Sequence, residues 1–141
     1  MVGLASDHAG FELKEFIKTV LDKKAIAYKD FGTHSTASVD YPDHAHPLAL
    51  AVQSGEVKSG IAVCGAGNGM AMTLNKHKGI RAGLCWDEEI AQLTRAHNNA
   101  NILVLPGRYI SDTEAELCVN AFFETPFEGG RHQGRIDKIE A

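Results

Sequence analysis

The stretch IAVCGAGNGMAMTL, residues 61–74, decides the fold of this chain. Its first four residues are all apolar, which is typical of a strand buried on both faces of a parallel sheet. Three glycines then interrupt the apolar run, and the residues from Met70 onward continue as a predicted helix that ends near Gly79. A buried strand, a glycine turn and a helix open a βαβ unit, so the stretch predicts an α/β fold.

The same alternation of short apolar runs and helical patterns extends to both ends of the chain. Strands are predicted over residues 2–6, 25–31, 61–64, 80–86 and 102–105. Helices are predicted through residues 13–21, from 42 to about 53, from 70 to near 79, over 87–97 and from 111 onward. Ser111 is the expected cap of the last long helix, with Glu114 at the capping-box position.

Five strands that alternate with helices imply right-handed crossovers and a sheet covered on both faces. The predicted fold is therefore a three-layer α/β/α, Rossmann-like sandwich with a five-stranded parallel sheet. The first three strands are expected in the order 2-1-3, and the places of the last two stay open.

Composition limits what kind of protein this is. The chain has 141 residues, 44% of them hydrophobic and 23% charged, which predicts one globular domain over residues 1–141. The formal net charge of -4 gives no footprint for nucleic acid or for an anionic membrane as a partner. Three cysteines without Cys-x-x-Cys spacing, and no leader-like or bilayer-length apolar run, predict a reduced, cytoplasmic protein.

The C-terminal segment differs from the rest. Residues 125–141 contain the glycine-rich, basic stretch EGGRHQGR at 128–135 and few apolar side chains to bury. With so few, the segment needs a ligand or a partner subunit to be ordered, and residues 125–141 are predicted to be a C-terminal arm that packs on a partner subunit.

Polar residues adjoin several of the predicted strands. In open α/β sheets, ligands bind outside the carboxyl ends of the strands, where the strand order reverses. Asp7 and His8 follow strand one, Cys64 ends strand three, the segment 96–101 precedes strand five, and Arg108 follows it. We expect all of them to converge at this edge. Asp7 and His8 would hold sugar hydroxyls there, or would simply form a turn.

Cys64 and the glycine loop after it are candidates for chemistry. A thiol beside a helix N-terminus is expected to have a lowered pKa, which makes Cys64 a candidate base or nucleophile. Backbone N–H groups of residues 65–69 would favour an oxyanion or a phosphate. The alternative is a tight turn with a small buried side chain, the interpretation given to Cys85 and Cys118.

Proton transfer and phosphate binding have candidates elsewhere. His97 has a side chain that exchanges protons near neutral pH, or else interacts with a helix C-terminus. Arg108, Arg131 and Arg135 carry guanidinium groups that match phosphate geometry. The alternative for the arginines is a solvated surface.

Seven segments carry a resemblance, and together they span almost the whole chain. They are SDHAGF at 6–11, DYP at 40–42, CGAGNG at 64–69, NK at 75–76, GIRA at 79–82, HNNAN at 97–101 and EGGRHQGR at 128–135. On these segments the chain resembles the ribose-5-phosphate isomerase B family, which also includes allose-6-phosphate and galactose-6-phosphate isomerases.

The resemblance implies interconversion of ribose 5-phosphate and ribulose 5-phosphate through a cis-enediolate, without metal or cofactor, in a homodimer or tetramer. It implies that Cys64 is the base that moves the proton between C1 and C2, and that His97 assists opening of the furanose ring. It also implies arginines around the phosphate, some of them reaching across a dimer interface. The substrate-binding residues that it implies are Asp7, His8, Tyr41, Gly65, Ala66, Gly67, Asn68, Gly69, Asn98, Arg108, Arg131 and Arg135.

Other functions stay open at this point. The family usually has Thr or Ser where this chain has Ala66, which bears on the preferred sugar. A six-carbon 6-phosphate sugar is the nearest alternative substrate. A catalytically silent sugar-phosphate-binding subunit is a further alternative, against which the presence of Cys64 and His97 argues. A nucleotide-binding module is disfavoured because the glycine spacing is not that of a dinucleotide-binding loop.

Overall fold

The computed structural model describes residues 1–140, and these form a five-stranded, all-parallel sheet with helices on both faces. The strands are β1 (Val2–Ser6), β2 (Tyr28–Asp30), β3 (Ser59–Cys64), β4 (Ala82–Leu84) and β5 (Ile102–Pro106). The helices are α1 (Phe11–Lys23), α2 (Tyr41–Ser54), α3 (Asn68–Leu74), α4 (Glu88–Ala96), α5 (Asp112–Glu124) and α6 (Arg131–Ile136). The predicted three-layer α/β/α class is confirmed.

The strand order is β2-β1-β3-β5-β4. It confirms the predicted order 2-1-3 and places β5 between β3 and the edge strand β4. From β1 the chain moves outward to β2 and then returns to the other side of β1 with β3, so the order reverses between β1 and β3. The crevice outside the carboxyl ends of these two strands is the place where such folds bind ligands.

The core has one layer on each face of the sheet. Side chains of β3 alternate between the two layers because successive residues of a strand point to opposite faces. Ile61 and Val63 pack with residues of α1, α4 and α5. Ala62 and Cys64 pack with residues of α2 and α3. Cys64 therefore faces the layer that α2 and α3 form.

Helix α3 is shorter than predicted, ending at Leu74 instead of near Gly79. The side chain of Asn75 stops it. Its Nδ2 donates to the carbonyl of Ala82 at 2.9 Å, and its Oδ1 accepts from the N–H of Ala82 at 2.8 Å. This amide ties the end of the helix to the start of β4.

Both edge strands are shorter than predicted. At β2, Ala25 adopts a φ of 55°, and the N–H of Ile26 donates to the carbonyl of Leu21 at 3.0 Å. These residues therefore close the C-terminus of α1 instead of extending the strand. At β4, the N–H of Ile80 bonds to the carbonyl of His77 in a turn, so the strand begins later.

Half of the predicted capping box at α5 is present. Ser111 Oγ accepts from the N–H of Glu114 at 3.1 Å, as expected. The carboxylate of Glu114 does not return to Ser111, because its Oε1 accepts from the N–H of Glu88 at 2.9 Å. Glu114 thus links the start of α5 to the start of α4.

The C-terminal segment contacts its own chain through residue 140, while Ala141 of the predicted arm lies outside the described residues. Glu128 N–H donates to the carbonyl of Ala96 at 3.0 Å, and Glu140 Oε1 accepts from the N–H of Gly79 at 2.8 Å. Packing of this arm on a partner subunit stays a prediction. Within residues 1–140, no helix combines the length and the apolarity needed to cross a membrane.

Candidate active site

Three neighbouring strands deliver polar residues to one edge of the sheet. Asp7, Cys64 and Arg108 lie at or just beyond the carboxyl ends of β1, β3 and β5, as predicted. Backbone hydrogen bonds hold the three segments side by side. Asp7 N–H donates to the carbonyl of Val63 at 3.3 Å, and Arg108 N–H donates to the carbonyl of Gly65 at 3.0 Å. The structure therefore brings these residues together at the switch point of the sheet.

The glycine loop wraps its N–H groups around the Cys64 thiol. Gly67 adopts a φ of +80°, a left-handed conformation that favours glycine, and turns the chain into α3. The backbone N–H groups of Met70, Gly67 and Gly69 lie close enough to the sulfur to lower its pKa. They are the kind of donor that stabilises a thiolate or an oxyanion.

The pKa of Cys64 is raised, so the prediction of a lowered value is wrong for this structure. The residue is only 5% exposed, and burial is the largest cause of the rise in pKa. The N–H of Met70 opposes it, the negative charge of Asp7 adds to it, and the N–H groups of Gly67 and Gly69 oppose it. Desolvation therefore outweighs the helix N-terminus, which is formed by a helix of only two turns.

Two further predicted residues border the same loop. Gly69 lies against the ring of Tyr41, the first residue of α2, and a Cβ at position 69 would collide with that ring. His8 lies beside the segment that leads into α2, where its Nδ1 accepts from the N–H of Val39 at 3.2 Å. Asp7 also forms a turn, because its Oδ1 accepts from the N–H of Gly10 at 3.0 Å.

Arg108 and the exposed loop residues complete this group. The guanidinium of Arg108 passes beside Gly65, where a Cβ would lie 3.5 Å from Nη1. Ala66 and Asn68 are exposed. The group at the carboxyl edge thus combines a buried thiol, backbone N–H donors, a carboxylate, an imidazole and a guanidinium. We call it the Cys64 group, formed by Asp7, His8, Tyr41, residues 64–69 and Arg108.

His97 lies at the opposite edge of the sheet, so its predicted convergence with Cys64 is wrong within one chain. Helix α4 follows the carboxyl end of β4 and runs back, and His97 is its C-cap. The chain then enters β5 at its amino end, where Asn101 accepts from the N–H of Gly60 at 3.0 Å. The six residues of β3 separate the two edges by about 16 Å.

The remaining predicted residues lie near His97. Asn98 lies in the turn after α4, and its backbone carbonyl accepts from Arg81 Nε at 3.2 Å. Arg131 and Arg135 are exposed on α6, which the Glu128 backbone ties to the end of α4. The three predicted phosphate arginines are therefore divided, with Arg108 at one edge and the other two at the other edge.

Two residues beside His97 had no assigned role in the sequence. The ring of His132 stacks on that of His97 with centroids 4.3 Å apart and 13° between the planes. Glu128 Oε1 lies 3.8 Å from Nε2 of His97 and 3.3 Å from Nε2 of His132. The spacing of Glu128 and His132, four residues apart in the EGGRHQGR stretch, was the available signal. We call His97, Glu128 and His132 the His97 group.

The His97 group contains metal-ligating side chains, but the arrangement of its two rings does not suit a shared metal ion. The candidate ligand atoms lie within 4.8 Å of one another. An imidazole nitrogen directs its lone pair in the plane of its ring, and these two planes are nearly parallel and stacked. A single ion cannot lie in both planes, so metal binding would require a ring to rotate.

The fold is that of an α/β protein with a candidate ligand site at the switch point of its parallel sheet, and comparisons with known proteins agree with this fold. A family model described as Ribose/Galactose Isomerase matches residues 2–139. A ribose-5-phosphate isomerase B of Escherichia coli is 41% identical, with 99% of this chain and 94% of that protein covered.

Solved structures show the same similarity. A crystal structure of a ribose 5-phosphate isomerase from Thermotoga maritima is 51% identical and has a TM-score of 0.97, covering 99% of this chain and 96% of that one. A ribose-5-phosphate isomerase B from Mycoplasma genitalium, with bound ribulose-5-phosphate, is 44% identical with a TM-score of 0.93, covering 98% and 92%. This chain belongs to the ribose/galactose isomerase family, and the resemblance that its sequence carries is confirmed.

Proposed function

We propose that this chain interconverts ribose 5-phosphate and ribulose 5-phosphate at a site built around Cys64. The observation that carries the proposal is the buried thiol at the end of β3, faced by three backbone N–H groups and flanked by Asp7 and Arg108. Family membership supports it, as does the solved relative from Mycoplasma genitalium with bound ribulose-5-phosphate.

Cys64 and the loop divide the isomerisation step between them. The Cys64 thiolate removes the proton from C2 of the open-chain aldose, and the electron pair of that bond forms a C1–C2 double bond. The carbonyl oxygen on C1 becomes the enediolate oxygen, which the N–H groups of Gly67 and Gly69 stabilise. The thiol then returns the proton to C1 while the hydroxyl proton on O2 passes to O1, which leaves a ketone at C2.

His97 opens the sugar ring before this step. Ribose 5-phosphate binds as a furanose, in which C1 is bonded to O4. His97 donates a proton to O4 as the C1–O4 bond breaks, and the hydroxyl on C1 loses its proton to water, which gives the open-chain aldehyde. Asp7, His8, Tyr41 and Asn98 contact the sugar and its hydroxyls.

We propose that two copies of the chain form each site, because Cys64 and His97 lie at opposite edges of the sheet of one copy. One copy supplies the Cys64 group, and the other supplies His97. Arg131 and Arg135, which lie near His97, then approach the substrate phosphate together with Arg108 of the first copy. The partner is thus a second copy of this chain, as a homodimer or within a tetramer.

One other class of substrate, the six-carbon 6-phosphate sugars, is an alternative to ribose 5-phosphate. Ala66 provides no hydroxyl in the glycine loop, and the matching family model covers galactose as well as ribose isomerases. Allose 6-phosphate and galactose 6-phosphate are therefore the second class of substrate to test. A cytoplasmic location stays a prediction, which the three free cysteines support because thiols persist in reducing compartments.

The test is an isomerase assay with a matched pair of cysteine variants. Purified protein is incubated with ribose 5-phosphate in the presence of EDTA, and formation of ribulose 5-phosphate is followed. We expect turnover by the wild type and by Cys118→Ala, whose cysteine is buried on the other face of the sheet. Cys64→Ser should lose roughly 10³-fold in kcat, since general base catalysis contributes that order of magnitude.

Two results would contradict the proposal. Equal activity of Cys64→Ser and the wild type would remove Cys64 from the base role. Absence of turnover in all three proteins, with turnover of allose 6-phosphate instead, would move the substrate to the six-carbon sugars.

A further inference from the structure

His97 is part of a built arrangement rather than a single exposed histidine. Its ring is stacked on the ring of His132, with centroids 4.3 Å apart. The carboxylate of Glu128 lies at the edge of both rings, 3.8 Å from Nε2 of His97 and 3.3 Å from Nε2 of His132. One side chain thus covers a face of the His97 ring, and another lies beside its Nε2 atom.

Backbone hydrogen bonds and a glycine turn in the C-terminal segment hold Glu128 and His132 beside His97. The N–H of Glu128 donates to the carbonyl of Ala96, the last residue of α4, at 3.0 Å. Gly129 and Gly130 then turn the chain with φ values of 70° and 57°. The N–H of His132 closes this turn by donating to the carbonyl of Gly129 at 3.1 Å.

His132 has no evident structural reason to be a histidine. Its side chain is 7% exposed, and within the described part of the chain its Nε2 has no hydrogen-bond partner, Glu128 being at ion-pair distance only. An unpaired buried polar group costs free energy that an apolar side chain of the same shape would avoid. The imidazole at position 132 therefore points to a role toward Glu128 and His97.

We propose that Glu128 and His132 are positioning residues for ring opening by His97. The stacked His132 ring fixes the plane of the His97 imidazole, and the Glu128 carboxylate fixes its rotation within that plane. His97 then presents one orientation to the furanose oxygen. Such pre-orientation lowers the barrier to proton transfer because the reacting groups need not be ordered during the step. The inference rests on the proposed function.

The chemistry of the two sugars separates ring opening from proton transfer at carbon. Ribose 5-phosphate closes a furanose between C1 and O4 and must be opened before it reacts. Ribulose 5-phosphate cannot close a furanose on its C2 ketone, because O5 carries the phosphate. Exchange of its C1 hydrogen with D₂O therefore requires the Cys64 group and no ring opening.

The experiment measures both rates in the wild type, in Glu128→Gln and in a control, Glu124→Gln. Glu124 is an exposed glutamate at the end of α5, and its carboxylate lies 3.7 Å from Lys24 Nζ in a surface ion pair. We expect Glu128→Gln to lower kcat for ribose 5-phosphate roughly tenfold and to change C1 exchange in ribulose 5-phosphate less than about twofold. Glu124→Gln should change neither rate.

His132 is tested by separating its shape from its nitrogen. His132→Phe keeps an aromatic ring against His97, whereas His132→Ala removes it. We expect His132→Ala to lose more ribose 5-phosphate turnover than His132→Phe, with C1 exchange retained in both. Thermal unfolding midpoints identify any variant that is not folded at the assay temperature. Glu128 is exposed, so the comparison of Glu128→Gln with the wild type still tests the proposal if a His132 variant does not fold.

The contradicting outcomes are distinct. If both rates fall by the same factor in Glu128→Gln, or if neither falls, the positioning role is wrong. If the wild type converts no ribose 5-phosphate, the proposed function is wrong and this inference with it.

Discussion

Cys64 lies in a site that both opposes and favours its ionisation. Burial excludes water from the sulfur, while the N–H groups of Met70, Gly67 and Gly69 point toward it. The net effect is a pKa above the ordinary value of a cysteine. The residue is therefore predominantly a thiol at neutral pH, and only the thiolate can remove the C2 proton.

The raised pKa predicts how activity depends on pH. Because the active form is the deprotonated one, kcat for ribose 5-phosphate should rise as the pH approaches the pKa of Cys64 from below. We expect the rise to continue beyond about pH 8, near the ordinary pKa of a free cysteine. Alkylation of Cys64 by iodoacetamide should follow the same curve. A plateau of both rates from about pH 6 would indicate a lowered pKa and contradict this account.

Part of the site at this scale could be predicted from the sequence. Asp7, Cys64 and Arg108 were expected together because each ends or follows a strand, and parallel strands bring their carboxyl ends to one edge. The sign of the Cys64 pKa could not be predicted, because it depends on how deeply α2 and α3 bury the sulfur. His97 was misplaced for a simpler reason: a segment that precedes a parallel strand lies at its amino end.

Helix α1 supports the Cys64 group through a buried ion pair. Lys14 is 1% exposed, and its Nζ donates to Asp30 Oδ1 at 2.6 Å and to the carbonyl of Thr33. The N–H of Ser6, at the end of β1, donates to the carbonyl of Gly32 at 2.7 Å, and the N–H of Thr33 donates back to Ser6 at 2.7 Å. The Lys14–Asp30 pair thus holds residues 32 and 33 beside Ser6, the residue that precedes Asp7.

Removal of the Asp30 charge should destabilise the fold. Burial raises the pKa of this carboxyl, but hydrogen bonds from Lys14, Lys18 and the N–H of Gly32 outweigh burial, and the pKa is lowered. We expect Asp30→Asn to lower the free energy of unfolding by about 3 kcal/mol at pH 7, because Lys14 is left buried without its partner. Glu56→Gln, which breaks the exposed pair with Lys29, should cost less than about 1 kcal/mol.

The difference in free energy of unfolding between the wild type and Asp30→Asn should depend on pH in a defined direction. A carboxyl with a lowered pKa stabilises the folded state above its unfolded pKa, near about 4, and the stabilisation is lost as the pH falls through the folded value. The difference in free energy of unfolding between the wild type and Asp30→Asn, measured with urea, should therefore become smaller below about pH 4. A gap that stays constant from neutral to acid pH would contradict the assignment.

At the level of helices and strands, some features could be predicted from the sequence and others could not. The pattern of α1 was predicted from its apolar stripe, but the burial of Lys14 was not, because lysine is ordinarily a surface residue. The order of the first three strands was predicted. The places of β4 and β5 were not, because no local pattern states which of two apolar strands lies at the edge of a sheet.

At the scale of the whole molecule, the sheet itself divides the proposed catalytic residues. Cys64 lies at its carboxyl edge, and His97 lies at its amino edge with Arg131 and Arg135 nearby. The division follows from parallel topology, in which every helix returns the chain to the opposite edge. A reaction that needs both residues therefore needs two copies of the chain, and that is the central claim of the proposed function.

Mixing two inactive variants tests that claim most directly. Cys64→Ser and His97→Asn are each purified, combined in equal amounts, allowed to exchange subunits, and assayed with ribose 5-phosphate. In a two-fold dimer with shared sites, every mixed dimer has one site with both residues intact, so random exchange should restore about one quarter of wild-type activity. If each site instead lies within a single chain, no mixed dimer contains an intact site. Activity that stays at the level of the separate variants, although mixed dimers are shown to form, would contradict the claim.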